Sequence, residues 1–237
     1  MKRYEWPKTF PPLTPEQQHI SDDFMQAWLQ NVQKNYGLIE NFNHSYAAKR
    51  AVIPPGCRTL EIGAGIGTHL HYENLDIQEY HCVDLRPNVL ADLGKAFPKV
   101  RVVQGDCQLG LDFPDGFFNR IIAINILEHL PDLPRAVAEI GRLLAADGTV
   151  DVIIPCDPGF LYGLGRKISA ERMFRKRYKQ DYHWFISREH INDPGEIMSL
   201  LRNTFDIALM RYFPCFVPVK NLNLFIGFQL RKKQRPH

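Results

Sequence analysis

From residue 59 to residue 154, short apolar runs alternate with amphipathic helical stripes, and this alternation limits what the chain can fold into more than any other feature. Residues 59–62, 80–83, 100–104, 121–124 and 150–154 read as strands. The stretch 87–96 and the stripe Leu133, Val137, Ile140 and Leu144 read as helices between them. Ile121-Ile122-Ala123-Ile124 is apolar throughout, the pattern of a strand covered on both faces. The pattern predicts an α/β fold with a doubly wound, mostly parallel sheet and helices on both faces.

Flanking segments follow other rules. Thr14-Pro15-Glu16-Gln17 predicts a helix start with Thr14 as N-cap and Gln17 closing a capping box. Ile20, Phe24, Trp28 and Val32 follow at four-residue spacing, and a second helix over 37–49 carries Ile39, Phe42 and Tyr46. Pro54-Pro55-Gly56 ends this helical preface. Past Cys156 the rhythm breaks. Gly159, Gly163 and Gly165 loosen the backbone ahead of seven Lys or Arg and one acid between Arg166 and Lys179, an insertion after the fifth strand. A helix over 195–201, a strand over 205–210 and a last strand over 222–230 complete the pattern, with Arg231 to Arg235 as a frayed tail. We therefore expect one domain over 1–237: a helical cap (1–53), a binding core (54–155), an insertion (156–193) and the rest of the sheet (194–237).

Composition excludes several classes. With 45% hydrophobic and 23% charged residues the chain is globular, and a formal net charge of +3 gives no electrostatic case for a nucleic-acid binder. No apolar run approaches the roughly 18 residues of a membrane-spanning helix, and nothing at the N-terminus reads as a signal peptide. Cys57, Cys82, Cys107, Cys156 and Cys215 are odd in number and show no metal-binding spacing, so we expect free thiols, a cytoplasmic location and no metal.

Chemistry concentrates at the ends of the predicted strands. Glu61-Ile62-Gly63-Ala64-Gly65-Ile66-Gly67 leaves the first strand through alternate glycines, which let backbone turn tightly and approach a ligand. A helix beginning after Gly67 would aim its N-terminal amides into that loop. The nicotinamide fingerprint needs Gly or Ala five positions after its first glycine, and Thr68 stands there. Asp84 closes the second strand nineteen residues after Gly65, where a carboxylate can accept from both ribose hydroxyls. Gly105-Asp106 closes the third, where the acid can accept from an exocyclic amine. With Glu61, these acids should line one crevice beyond the carboxyl ends of the strands.

In these motifs the chain resembles the class I S-adenosylmethionine-dependent methyltransferases, nearest the type 11 and type 12 group. The resemblance runs through the glycine loop, His81-Cys82-Val83-Asp84, Val103-Gln104-Gly105-Asp106, Ile124-Asn125-Ile126-Leu127-Glu128-His129-Leu130-Pro131 and Glu139 to Gly148. It implies a seven-stranded Rossmann-like sheet with an antiparallel last strand. It also implies S-adenosylmethionine as cofactor, S-adenosylhomocysteine as product, and a set of residue roles. Gly63, Ala64, Gly65 and Gly67 would wrap the methionine part, and Glu61 would reach its amino group. Asp84 would take the ribose, Leu85 would lie on adenine, Gly105, Asp106 and Cys107 would read its edge, and Asn125 would sit under the sulfonium. Asn119 departs from the family, which commonly has an acid there.

His129 is the candidate general base for an acceptor that must lose a proton, with His183 and His190 as weaker candidates. The basic insertion suggests an anionic sugar-, lipid- or metabolite-type acceptor methylated on O or N, with peripheral membrane contact as a further use. Two other readings stay open: an RNA methyltransferase stacking bases on Tyr178, Tyr182 and Trp184, and a non-catalytic cofactor-binding partner subunit. Arg172, Arg175, Lys176, Arg177 and Lys179 as a solvated helix face are the plain alternative to any of these.

Overall fold

The computed structural model describes residues 5–35, 37–49 and 53–233. Seven strands form one sheet: β1 (Cys57–Ile62), β2 (Gln78–Asp84), β3 (Arg101–Gln104), β4 (Phe118–Ile124), β5 (Leu144–Pro155), β6 (Phe205–Pro214) and β7 (Asn223–Lys232). Their spatial order is β3-β2-β1-β4-β5-β7-β6. The first five are parallel, and β7 lies antiparallel between β5 and β6, as the resemblance implied. The order reverses between β1 and β4, which places a crevice at their carboxyl ends.

The apolar run on β4 shows why the sheet is wound on both sides. Ile121 and Ala123 join Leu60, Ile62, Val150 and Val152 against α4 (Leu133–Leu143) and α8 (Pro194–Thr204). Ile122, pointing the other way, packs with Tyr80, Cys82, Leu93 of α3 (Pro87–Ala96) and Ala47 of α2 (Gly37–Ala48). Both faces exclude water, so strict alternation would leave a polar residue stranded. Asn119, where the resemblance would commonly place an acid, accepts the Arg58 backbone N–H at 3.0 Å through Oδ1 and so ties β1 to β4.

α1 (Pro15–Asn35) starts at the predicted capping box: the Gln17 amide donates to Thr14 Oγ1 at 3.2 Å and the Thr14 amide to Gln17 Oε1 at 3.0 Å. Phe24 is its anchor, in edge contact with Phe174, Tyr178, Tyr182 and Phe185. The side chains of Val32 and Ile39 lie outside the described residues.

Three expectations are corrected. No α-helix follows Gly67; a five-residue 3-10 turn, Thr68–Tyr72, takes its place. Gly67 enters it in a left-handed conformation and the chain is extended again at Glu73, whose carboxylate is claimed by the sheet. The glycine-loosened insertion is instead three helices, α5 (Phe160–Ile168), α6 (Ala170–Tyr178) and α7 (His183–Glu189). Gly163 and Gly165 lie within α5, where a glycine costs about 1 kcal/mol against alanine, and packing of Tyr162 on Phe225 offsets part of that. The tail is not frayed as far as Lys232: Arg231 pairs with Thr149 and Asp206 in β7, and Gln234 and Arg235 lie outside the described residues.

One charge sits inside this apolar frame. Arg120 of β4 is buried, and its Nε donates to Asp151 Oδ2 of β5 at 3.1 Å while an Nη donates to Glu73 Oε1 at 2.9 Å. Removing the guanidinium would leave two buried carboxylates uncompensated. Arg120→Met should therefore cost about 3–5 kcal/mol of stability, measured by urea denaturation. A loss below about 1 kcal/mol would mean that the cluster is dispensable.

Candidate functional site

The glycine loop leaves β1 and folds over the end of β2. The amides of Gly63 and Ala64 donate to the Val83 carbonyl at 2.8 and 3.2 Å. Gly63, Gly65 and Gly67 all have positive φ, at 70°, 55° and 80°. At Gly63 space as well as φ demands glycine, since a Cβ there would lie 2.7 Å from Ile126 Cγ1. Two of the three loop glycines and the three strand-end acids thus meet at one cavity of about 920 Å³. Glu61, Gly63, Ala64, Gly65, Asp84, Leu85, Gly105, Asp106, Cys107, Asn125 and His129 line it; Gly67 stands behind the loop.

The acids differ in state. Glu61 is buried and accepts from the Tyr80 hydroxyl at 2.9 Å, and burial pushes its carboxyl up to about 8. Asp84 is buried too, which works to raise it. Four donors outweigh that and hold it below its ordinary range. Arg86 Nε and amide reach Oδ1 at 2.9 and 3.0 Å, and Arg86 Nη2 and the Gly65 amide reach Oδ2 at 2.9 and 3.0 Å. Arg86 is half exposed and can withdraw in favour of another donor pair. Asp106 accepts from the amide and side chain of Gln108, which in turn accepts from the Asp132 amide. Leu85 is 57% exposed, an apolar platform at the rim. Asn125 ends β4 with φ of 50°, donates its amide to the Ile153 carbonyl at 2.9 Å, and leaves its buried Oδ1 without a partner. A non-glycine residue held there is the kind of strain that collects at ligand sites.

The helical cap and the acceptor-side insertion were expected at the opposite wall, but its apolar lining was not read from the sequence. Phe24, Met25 and Trp28 from α1, Tyr162 and Ile168 from α5, Tyr182, Phe185 and Ile186 around α7, and Leu224 and Phe225 from β7 make it apolar. At its inner end Glu128, His129 and His190 converge, with Asp157 behind His190 at 2.8 Å. Burial raises Glu128 to about 7 and, with the nearby His190, lowers His129 to about 3. The sequence candidate for general base therefore keeps a neutral ring with little basicity. His183 points elsewhere, on the exposed face near Ser187. Glu128 was in plain view beside His129, but Asp157 and His190 are thirty-three residues apart and carried no local signal.

The basic run turns its charge outward. Arg175 pairs with Glu171 and Asp181, Arg177 pairs with Asp23, and Arg172, Lys176 and Lys179 are exposed. Tyr178, Tyr182 and Trp184 pack in the cluster around Phe24 and Phe174 rather than forming an open stacking platform. Arg166 alone of the run reaches the cavity, held by Asp157 at 2.7 Å.

A family model described as a methyltransferase domain, Methyltransf_11, matches residues 60–152. Sterol 24-C-methyltransferase ERG6B of Gibberella zeae is 32% identical over 116 residues, covering 45% of this chain and 30% of that protein. The chloroplastic 2-methyl-6-phytyl-1,4-hydroquinone methyltransferase 1 of Oryza sativa subsp. japonica is 25% identical over 134 residues, 55% of this chain and 40% of that one. The chain thus spans well under half the length of these curated relatives. Among solved structures, the TehB-like SAM-dependent methyltransferase of Corynebacterium glutamicum superposes with a TM-score of 0.58 at 19% identity, covering 90% of this chain and 98% of that one.

The glycine at the loop entrance gives a direct test of the site's geometry. Gly63→Ala should destabilise by about 1–2 kcal/mol through its left-handed backbone and displace Ile126 into the cavity. Urea denaturation reads the first effect, and a loss under about 0.5 kcal/mol would show that the loop adapts.

Proposed function

The chain carries a class I S-adenosylmethionine-dependent methyltransferase domain of the type 11 group, and from that premise we propose that it methylates an oxygen or nitrogen atom of an acceptor with an apolar body. The observation that carries this reading is the division of one cavity between strand-end acids with a glycine loop on one side and aromatic and aliphatic side chains on the other. S-adenosylmethionine supplies a sulfonium methyl group to an in-line displacement, so the protein's work is placement and exclusion of water.

The residues fit that cofactor. Gly63 leaves room that a Cβ would fill, and Gly63, Ala64 and Gly65 would receive the methionine part, with Gly67 shaping the loop from behind. Glu61 would take its ammonium. Asp84 would accept from the ribose hydroxyls once Arg86 withdraws, and Leu85 would cover the adenine. Gly105, Asp106 and the Cys107 amide would meet the adenine edge, and Asn125, whose Oδ1 is orphaned, would sit under the sulfonium.

The acceptor side favours an apolar body over the anionic acceptor expected from the basic run. The two guanidiniums in the cavity, Arg86 and Arg166, are each already held by an aspartate. Two of the relatives are named for acceptors with such an apolar body, a sterol and a phytyl hydroquinone, and a third is named for a malonyl group. On α5, Ile168 at the cavity rim and Phe160 just outside it are 68% and 71% exposed, with Leu164 between them on the same face, and Phe216, Val217 and Leu222 are exposed near β7. Lys167 and the cations of α6 flank this strip, which fits a peripheral anionic membrane from which such an acceptor could enter. Among the described residues no helix is long and apolar enough to cross a membrane. Five unpaired cysteines suit the reducing cytoplasm.

Calorimetric titration with S-adenosylmethionine, S-adenosylhomocysteine and NAD tests the cofactor, with binding of the first two expected. Because the Glu61 carboxyl of the free protein is neutral below about pH 8, an arriving ammonium must expel its proton. Affinity for S-adenosylmethionine should therefore fall up to about tenfold per pH unit as pH drops below 8, and Glu61→Gln should flatten the profile. A flat wild-type profile would remove Glu61 from the ammonium site. Transfer of labelled methyl is then scored on quinol- and sterol-type acceptors, and activity confined to small anionic acceptors or RNA would overturn the acceptor reading. Co-sedimentation with vesicles containing phosphatidylserine should be lost in Phe160→Glu/Leu164→Glu, and its persistence there would remove α5 from the membrane contact.

A further inference from the structure

We propose that Glu128, His129 and His190 form a divalent-cation site at the inner end of the cavity, of the borderline kind that takes imidazole and carboxylate ligands, with zinc as the natural probe. One ligand atom from each lies within 4.8 Å of the others. Glu128 is 2% exposed, and its buried Oε2 has no hydrogen-bond partner, a cost that a ligand would relieve. Three protein ligands, two nitrogen and one oxygen, with an open side toward a cavity match the donor set of catalytic zinc sites. Ligand atoms around tetrahedral zinc stand roughly 3.4 Å apart, so the three side chains need to close by about an ångström.

The groups behind the ligands fit as well. His190 Nδ1 is bonded to Asp157 Oδ2 at 2.8 Å, which leaves Nε2 for the cation. His129 Nδ1 faces Glu189 Oε2 at 3.7 Å, and its Nε2 lies 3.7 Å from Glu128 Oε1. Carboxylates set behind both imidazoles orient them in the way metal-ligating histidines are oriented. The backbone is also fixed. Asn192, 1% exposed, donates through Nδ2 to the carbonyls of Leu127 and Leu130 at 2.8 and 2.7 Å, and its amide donates to the Glu128 carbonyl at 3.1 Å. That bolts the turn bearing Glu128 and His129 to the segment bearing His190. The positive groups nearby, Arg166 and Arg86, are neutralised by Asp157 and Asp84.

Such a cation would ligate an acceptor hydroxyl. This use rests on the methyl-transfer reading above; cation binding itself does not. The hydroxyl proton leaves to solvent, the oxygen forms the new bond to the methyl carbon, and the carbon–sulfur bond breaks with its electron pair staying on sulfur. The cation would lower the acidity barrier to losing that proton.

The test is calorimetric titration of zinc chloride into chelator-treated protein without cofactor. One site per chain with micromolar or tighter affinity is expected, weakened at least tenfold in Glu128→Gln and in His190→Ala and unchanged in His71→Ala, which alters an exposed histidine outside the cavity. Substitution with cobalt should give the visible absorption of a four- or five-coordinate nitrogen–oxygen site. Absence of zinc and cobalt binding by the wild-type chain would overturn the proposal, as would binding that survives both variants while S-adenosylmethionine affinity shows them folded. Cofactor binding without zinc binding would sink the cation site and leave the methyl-transfer reading standing, and the converse would do the reverse.

Discussion

The guanidinium of Arg120 holds together the parts on which the cavity depends. It lies on the central strand β4, in surroundings that exclude water, and bridges Asp151 on β5 to Glu73, the first residue after the short turn behind the glycine loop. Glu73 also meets His69 Nε2 at 2.9 Å and accepts from Gln78 at the start of β2. One buried charge thus fixes strand register, the return of the chain into β2 and the height of the loop above the sheet. Burial alone would raise Glu73; His69 and Arg120 hold it ionised, whereas Asp151 is pushed up. The cluster holds together only as a whole, with Arg120 Nη2 and Asp151 Oδ1 still lacking hydrogen-bond partners, which makes it a specifier of structure more than a source of net stability.

With the loop fixed from behind, the front of the site can remain unsatisfied. Glu61 is kept neutral by burial, Asp84 is occupied by a half-exposed arginine, and Asn125 is held at positive φ with a bare carbonyl oxygen. Each of these is a state that a ligand of the right charge improves. The costs sit on residues whose backbones are pinned by the ends of β1, β2 and β4, so relaxation by backbone movement is blocked.

The parts that were legible in the sequence are those governed by local periodicity. The continuous apolar run on β4, the Thr14 capping box and the strand-to-glycine transition at Glu61 each express a rule that operates within a few residues, and each appears where expected. The convergence of Glu61, Asp84 and Asp106 was legible because topology puts the ends of parallel strands together. What failed depended on distant partners. The turn after Gly67 is short because Glu73 is claimed by a residue forty-seven positions away. The glycines of α5 are helical because Tyr162 finds Phe225. The pairing of Asp157 with His190 bridges two segments of a helical insertion that no sequence period ties together.

The insertion also shows how a charge count can mislead about a site. Between Arg166 and Lys179 the cations are dense, yet Phe174 and Tyr178 occur in the same helix at the spacing that buries one face. An amphipathic helix laid over an apolar cavity must expose its polar face, so cations there report on the solvent side and carry no information about what lies beneath. Arg166 is the exception that supports the rule: it reaches inward, and it does so already paired with Asp157. The chemistry of the chamber is set by the face of the insertion that hydropathy averages hide, aromatic toward α1 and histidine-bearing toward β4. On the proposed reading, an acceptor would be selected by apolar fit along the wall and by polar contact at its inner end, while the outer cations would face the membrane surface proposed above.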